Sequence, residues 1–430
     1  MERIYNDTIK EELYSEELEN GLKVYFMPKK GFLKKYAILA TNYGSNDLEF
    51  IPEGETEKIK VHEGIAHFLE HKMFEQPDGG NAFDLFSEYG ANANAFTNFN
   101  MTAYLFSATE NFYKCLEHLI DYVQTPYYTD ENVNKEKGII AQEIKMYDDD
   151  PGWQVYFNCL KAMYKEHNVK IDIAGDVDSI YKITPEELYK CYNTFYNPSN
   201  MALFIVGDLE PEEVFEEVKK ANHDDIKKNT KEIQRFMPVE PKEIATERIT
   251  EKFQISMPMF NIAYKDEDIN LKGKELLKKE VVSDVLCDMI FKTGSELYDE
   301  MYMGGMVNGS FYGAFYSEVE YGYTLISGES KDPDAVMDKV EEYLERYKRE
   351  GLSEEIFTRT KKRKIGEFLK YMDSMEFIAN NFVSYVFKDI NILDYLDVLK
   401  EVKLSDVEER LNSHFKKENR VISIIEPIGE

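Results

Sequence analysis

The feature that most constrains the fold is that the chain states one plan twice, on either side of a break near its middle. In the first copy, residues 21–28 and 36–43 are β-rich runs closed by Pro28 and Gly44, as neighbouring strands require. A helical stretch follows over about 61–74, then a glycine-bounded strand pair over 90–107. Residues 112–123 place Cys115, Leu116, Leu119, Ile120 and Val123 on one side of a helix. Further helices are expected at 132–147 and 185–196, and the apolar run 201–207 reads as a buried strand that closes the sheet. Residues 221–245 lose the apolar period and gain charge and two prolines, which is how a linker reads. The plan then restarts: a strand at 260–264, a helix at 281–291, a strand pair over 312–328 broken at 318–322, and an amphipathic helix at 336–347. The register agrees between copies. Phe112 lies 17 residues before the helix start Thr129-Asp130-Glu131, Val336 lies 17 before Ser353-Glu354-Glu355, and a glutamate follows 14 later in each, Glu143 and Glu367. The expectation is an α+β chain of two homologous domains, each an antiparallel-type sheet packed with helices, at 1–220 and 246–430 around the linker 221–245.

Composition narrows the function. With 43% hydrophobic and 31% charged residues, the 430-residue chain is a globular protein, not a disordered one. Lys+Arg 52 against Asp+Glu 82 leaves a formal charge of −30, a field that repels phosphate backbones and anionic bilayers, so neither nucleic acid nor membrane is an expected partner. Cys115, Cys159, Cys191 and Cys287 form no CxxC pair and sit in apolar surroundings suited to reduced core thiols. The N-terminus is acidic where a signal peptide needs basic and apolar residues, and no 18-residue apolar run occurs. The expected setting is cytoplasmic.

The chemistry is concentrated in His67-Phe68-Leu69-Glu70-His71. Positions i, i+3 and i+4 share a helix face, so two imidazoles one turn apart can hold one zinc ion while Glu70 takes a proton from a metal-bound water. The order inverts HExxH, the inverzincin arrangement. His62 is the other nearby imidazole and is read as a capping or surface residue. A catalytic zinc takes a third protein ligand, and the best local source is Glu136-Lys-Gly-Ile-Ile-Ala-Gln-Glu143, whose two glutamates lie seven apart on one helix face. Local chemistry alone does not separate Glu136 from Glu143.

The segments HFLEHKMF, GANANAFTNFNMTAYLF and EKGIIAQEI together resemble the pitrilysin/insulinase family of zinc endopeptidases, in its half-size bacterial branch related to mitochondrial processing peptidase. The likeness runs through most of the first copy and more weakly through the second. It implies half of a peptidase clamshell and one Zn2+ per chain. It also implies His67, His71 and Glu143 as ligands, Glu70 as general base, and Glu136 as an acid that orients a ligand histidine. The segment 92–97 becomes an edge strand on which an extended peptide substrate adds itself, with Asn94 and Ala95 as contacts. In the second copy Asp284, Cys287 and Asp288 fall where His67, Glu70 and His71 stand, so no such site is expected there, and Glu367 becomes a helix-surface acid. Many relatives carry an Arg and, seven residues on, a Tyr in the domain opposite the zinc; Met301 and Asn308 occupy those positions here. Either Tyr302, Tyr312 or another phenol substitutes, or a second chain supplies the pair across a shared chamber. The implied protein is a zinc endopeptidase of extended peptides, a homo- or heterodimer with an Arg/Tyr-bearing homologous subunit favoured. The rival is a peptide-binding or assembly subunit with little activity alone.

Overall fold

The computed structural model describes residues 1–77, 79–223, 226–229 and 231–429. In the first half of the chain, strands β1 (Glu2–Asn6), β2 (Glu11–Glu17), β3 (Lys23–Pro28) and β4 (Lys35–Thr41) precede a short ribbon of β5 (Glu49–Phe50) and β6 (Ile59–Lys60). Helices α1 (Ile65–Lys72) and α2 (Ala82–Glu88) lead into the hairpin of β7 (Asn92–Thr97) and β8 (Thr102–Ala108). Then come α3 (Phe112–Val123), α4 (Asp130–Asp148), α5 (Pro151–Met163), α6 (Val177–Ile180), α7 (Pro185–Phe195), β9 (Met201–Gly207) and α8 (Pro211–Ala221). The second half runs β10 (Arg248–Phe253), β11 (Met259–Lys265), α9 (Gly273–Phe291), α10 (Glu296–Met303), then the hairpin of β12 (Tyr312–Ser317) and β13 (Gly322–Glu329). It ends with α11 (Pro333–Glu350), α12 (Glu354–Tyr371), α13 (Met375–Val386), α14 (Tyr395–Glu401), α15 (Leu404–His414) and β14 (Arg420–Pro427). Helix starts follow local chemistry: Asp150, Thr184 and Asp332 each accept a backbone N–H at the N-cap, with proline as the first helical residue.

The two sheets share a topology. The seven-stranded sheet has the order β1-β2-β3-β9-β4-β8-β7 and the five-stranded sheet β10-β14-β11-β13-β12, so the last five strands of the first match the second one for one. Neither sheet is purely antiparallel: β3 pairs with β9, and β10 with β14, in parallel. The late strand of each copy therefore enters the interior of its sheet and closes no edge. Every residue of Met201–Gly207 is buried, and such a strand needs neighbours on both sides and cover on both faces.

The chain forms two compact units that do not follow its order. One comprises Met1–Lys145, Ile171–Pro238 and Tyr371–Phe387; the other comprises Met146–Lys170, Val239–Lys370 and Lys388–Glu430. This exchange of segments is absent from a linear division at 1–220, 221–245 and 246–430. In the first unit α13 covers one face of the sheet, with Phe382 stacked at 4.3 Å on Phe204 of β9 and Asn380 accepting from Tyr36 of β4. The opposite face takes α3, through Phe112 against Phe106 of β8, and α1. In the second unit α5 takes the position that α13 holds in the first: Cys159 contacts the Asn261 carbonyl of β11, and Tyr156 bonds Tyr323 of β13 at 2.7 Å. Thr324, on the other face, meets Cys287 of α9 and His414 of α15.

Helix 112–123 has its expected bounds, but the stretch expected over 61–74 is helical only as Ile65–Lys72. Gly64 adopts φ 83° and a Cβ there would lie 2.2 Å from the Ala174 carbonyl oxygen, so the chain must turn before the helix can start. Asp224, Asp225 and Thr230 of the expected linker lie outside the described residues. Its later part is ordered against β5, with Phe236 N–H donating to the Glu49 carbonyl at 2.8 Å. All four cysteines are free and buried. Among the described residues no helix is long and apolar enough to cross a membrane.

Candidate metal centre

Helix α1 puts His67, Glu70 and His71 on one face, and α4 brings Glu136 and Glu143 to it from the same unit. The Nε2 atoms of His67 and His71 stand 3.7 and 3.5 Å from the two oxygens of Glu143. One potential ligand atom from each of the three lies within 4.8 Å of the others. These contacts exceed ordinary N–H···O bonds. They are close to the separation of about 3.4 Å expected between ligands of a tetrahedral zinc at bond lengths of about 2.0–2.1 Å. Glu136 takes a different place: its Oε1 is 3.0 Å from His71 Nδ1, so a proton on that nitrogen leaves the Nε2 lone pair facing Glu143.

The electrostatics agree with a cation site. Burial, with His71 adding to it, holds His67 down to about 3, so its imidazole is neutral. For His71 burial acts downward too, but the Glu136 hydrogen bond and the charges of Glu70, Glu143 and Glu136 carry it above the usual value. Glu136 is lowered; burial alone would raise it, and the bond to His71 outweighs that. One nitrogen each of neutral His67 and of His71 and one oxygen of Glu143 converge on a single point; without a metal a proton on His71 fills it, and a bound cation would displace that proton. The donor set thus fits zinc, through its nitrogen and carboxylate ligands.

Glu70 is 7% exposed, and burial raises its carboxyl, with Thr97 and His71 partly offsetting the effect. Its Oε2 accepts the Thr97 hydroxyl at 2.6 Å. Thr97 ends β7, the outermost strand of its sheet, and lies 27 residues from Glu70, so no spacing within one element pointed to it. The available signal was alternation, which puts Ala93, Ala95 and Thr97 on one face of that strand. Asn94 is exposed, and its Oδ1 accepts the Ala95 N–H at 2.9 Å. His62 lies outside the ligand cluster, its Nδ1 and backbone N–H both held by Glu187 at 2.9 Å.

In the second unit the matching faces of α9 and α12 are joined by side-chain cations. Lys364 Nζ donates to Asp284 at 2.5 Å and lies 3.1 Å from Asp288, Arg363 donates to Asp288 at 2.7 Å, and Lys292 bonds Glu367 at 3.0 Å. Glu367 is therefore an ion-pair member and not a plain surface acid. The ammonium of Lys364 joins these two helices through acids at the positions where the first unit has its ligand histidines.

Comparison with known proteins places this geometry in context. Residues 50–177 match the model of the insulinase family (peptidase family M16), and residues 182–364 match that of the peptidase M16 inactive domain. The chain is 42% identical over 421 residues to the uncharacterized zinc protease YmfH of Bacillus subtilis (strain 168), covering 98% of each. A solved M16-like peptidase from Alicyclobacillus acidocaldarius superposes with a TM-score of 0.93 at 36% identity, over 97% of this chain and 98% of that one. A solved protease from Helicobacter pylori shares the fold, with a TM-score of 0.84 at 22% identity over 96% and 99% of the two chains.

Proposed function

The chain belongs to the insulinase family, peptidase family M16, and on that premise we propose that it is a zinc-dependent endopeptidase of extended peptides or small polypeptides. The observation that carries this reading is the convergence of His67, His71 and Glu143, with Glu70 on the same helix face as both histidines. His67, His71 and Glu143 would hold one zinc ion, and Glu136 would orient His71. When bound, the ion supplies Lewis acidity that polarises the scissile carbonyl and acidifies water. Glu70 takes the proton of the attacking water and returns it to the leaving amine nitrogen. Asn94 and Ala95 would contact the peptide along the free edge of β7, whose backbone groups accept any sequence in one register.

Catalysis is assigned to 1–220, where all these residues fall, and 246–430 is assigned a supporting role. Lys364 among Asp284 and Asp288 supports that division and a stoichiometry of one zinc per chain. A cytoplasmic setting is part of the proposal, supported by the four unpaired, buried cysteines. We assign the missing Arg/Tyr function to a second, homologous subunit. Met301 is fully buried and Asn308 donates to Glu329 at 2.6 Å, so neither supplies an equivalent group. The same feature favours a second reading, a peptide-binding or assembly subunit with little activity of its own. The deciding experiment is Glu70→Gln, purified with any natural partner: zinc should stay at one per chain while cleavage of a quenched peptide library falls at least about 100-fold. Unchanged cleavage would remove Glu70 as the base, and a wild-type complex that binds peptides without cutting them would favour the second reading.

A further inference from the structure

Glu70 has two carboxylate oxygens, and the structure treats them differently. Oε2 is held at 2.6 Å by the Thr97 hydroxyl, the one hydrogen bond the Glu70 side chain makes with a described residue. A hydroxyl has one proton, so where it goes matters. The neighbouring Thr102 is fully buried and donates to the Tyr43 carbonyl at 3.0 Å, leaving its 3.3 Å contact with Thr97 without a proton of its own. A carboxylate can only accept, so the 2.6 Å contact takes the Thr97 proton and the longer 3.3 Å contact with Thr102 goes without one.

Thr97 is also rigidly placed. It forms the last pair of the β7/β8 hairpin, opposite Thr102, and the turn beyond is closed by Asn98, whose Oδ1 accepts both the Asn100 and Met101 N–H groups at 2.8 Å. That turn is clamped to residues 44–46: Ser45 N–H donates to the Asn98 carbonyl at 3.0 Å and Asn46 N–H to the Phe99 carbonyl at 2.9 Å. A Cβ on Gly44 would lie 2.4 Å from the Asn100 nitrogen, which shows how closely the two segments approach. A β-branched side chain on so fixed a backbone has little rotamer freedom.

We propose that Thr97 is a positioning residue for Glu70: its hydroxyl fixes the rotation of the carboxylate through Oε2 and leaves Oε1 for proton transfer. Because Thr97 belongs to the edge strand on which the peptide would lie, the strand that sets substrate register also sets the aim of the base. The inference rests on the reading of Glu70 as general base. It is tested with Thr97→Val, which keeps the shape and removes the donor, and Thr97→Ser, which restores the donor, on the chain with any natural partner and with Glu70→Gln in parallel. Thr97→Val should lower kcat about 10- to 100-fold with KM within about twofold, and Thr97→Ser should recover most of the loss. Zinc content and the affinity of the metal-free protein for a fluorescent peptide should match the wild type. A crystal structure of metal-free Thr97→Val should show the Glu70 carboxylate rotated or spread over several rotamers, a result that needs no activity. Glu70 keeping its single orientation, or Thr97→Ser performing no better than Thr97→Val, would overturn the inference. So would a change in KM and peptide affinity with kcat intact, since Thr97 would then serve docking. An inactive Glu70→Gln beside a fully active Thr97→Val refutes the inference alone; an active Glu70→Gln refutes the base assignment beneath it.

Discussion

At the scale of single residues, burial decides what a side chain can do, and local sequence says little about it. Glu280, one turn before Asp284 on α9, looks like any helix-surface glutamate. Its Oε2 is buried without a hydrogen-bond partner, and burial pushes the carboxyl up to about 7, with Lys388 and Lys279 opposing the shift and Glu318 and Asp284 adding to it. A carboxyl raised from 4.5 binds its proton more tightly in the folded state, so stability should fall as pH rises from about 4.5 to about 7 and level off above. Glu280→Gln removes that dependence. The variant should gain up to about 3 kcal/mol over the wild type at pH 8, with the gain vanishing near pH 4.5, as read by urea unfolding at both pH values. An equal gap at both would assign the effect to packing. The chemistry-bearing residues were more legible. His67, Glu70 and His71 announce themselves by helical spacing, whereas choosing between Glu136 and Glu143 by residues alone required the fold, which sets the first at His71 Nδ1 and the second between both Nε2 atoms.

Among elements, the two related helix pairs meet around different groups. Helices α1 and α4 meet around the candidate zinc ligands, while α9 and α12 meet around Lys364, Asp284 and Asp288. Lys364 is 7% exposed, so Lys364→Met would take from Asp284 its ion-pair partner and from Asp288 one of its own. The cost should be about 2 kcal/mol in thermal or urea unfolding. It stays below the roughly 3–5 kcal/mol of a wholly buried pair because Asp288 keeps Arg363 and Asp284 is 43% exposed. Zinc content should not change, and a loss of zinc in this variant would contradict a purely local role. Helix α3 could be read to its ends because its apolar side is continuous, but α1 could not, since its start depends on a close approach. Gly64 and Gly175 both adopt positive φ, and a Cβ on Gly175 would lie 2.6 Å from the Glu63 carbonyl, so a contact 112 residues away in sequence sets where the helix of the candidate ligands begins.

The whole molecule depends on segments that leave their own half of the chain. Helix α13 covers β9 and β4 of the first sheet through fully buried Ile378, Ala379 and Val383 and through Phe382, against Tyr25 at 4.9 Å and Phe204 at 4.3 Å. Each large apolar side chain buried there contributes on the order of 1.5–3 kcal/mol. Residues 1–238 expressed alone should therefore lack a sharp thermal transition and bind a hydrophobic dye, and appending 371–387 should restore near-UV dichroism and a cooperative transition. Cooperative folding of 1–238 alone would show that the exchanged helix is dispensable. The hydrophobic periods, the repeated register and the HxxEH spacing were settled by neighbours within about one helical turn or one strand, and those local rules specified two α+β copies and three of the residues proposed for the metal site. The parallel insertion of β9 and β14, the exchange of α5 with α13, the grip of Thr97 on Glu70 and the cation held by α9 and α12 depend on groups tens to hundreds of residues apart. Such choices are made by which surfaces can be buried together and which charges compensated, and that is a property of the assembled core, not of any stretch of chain.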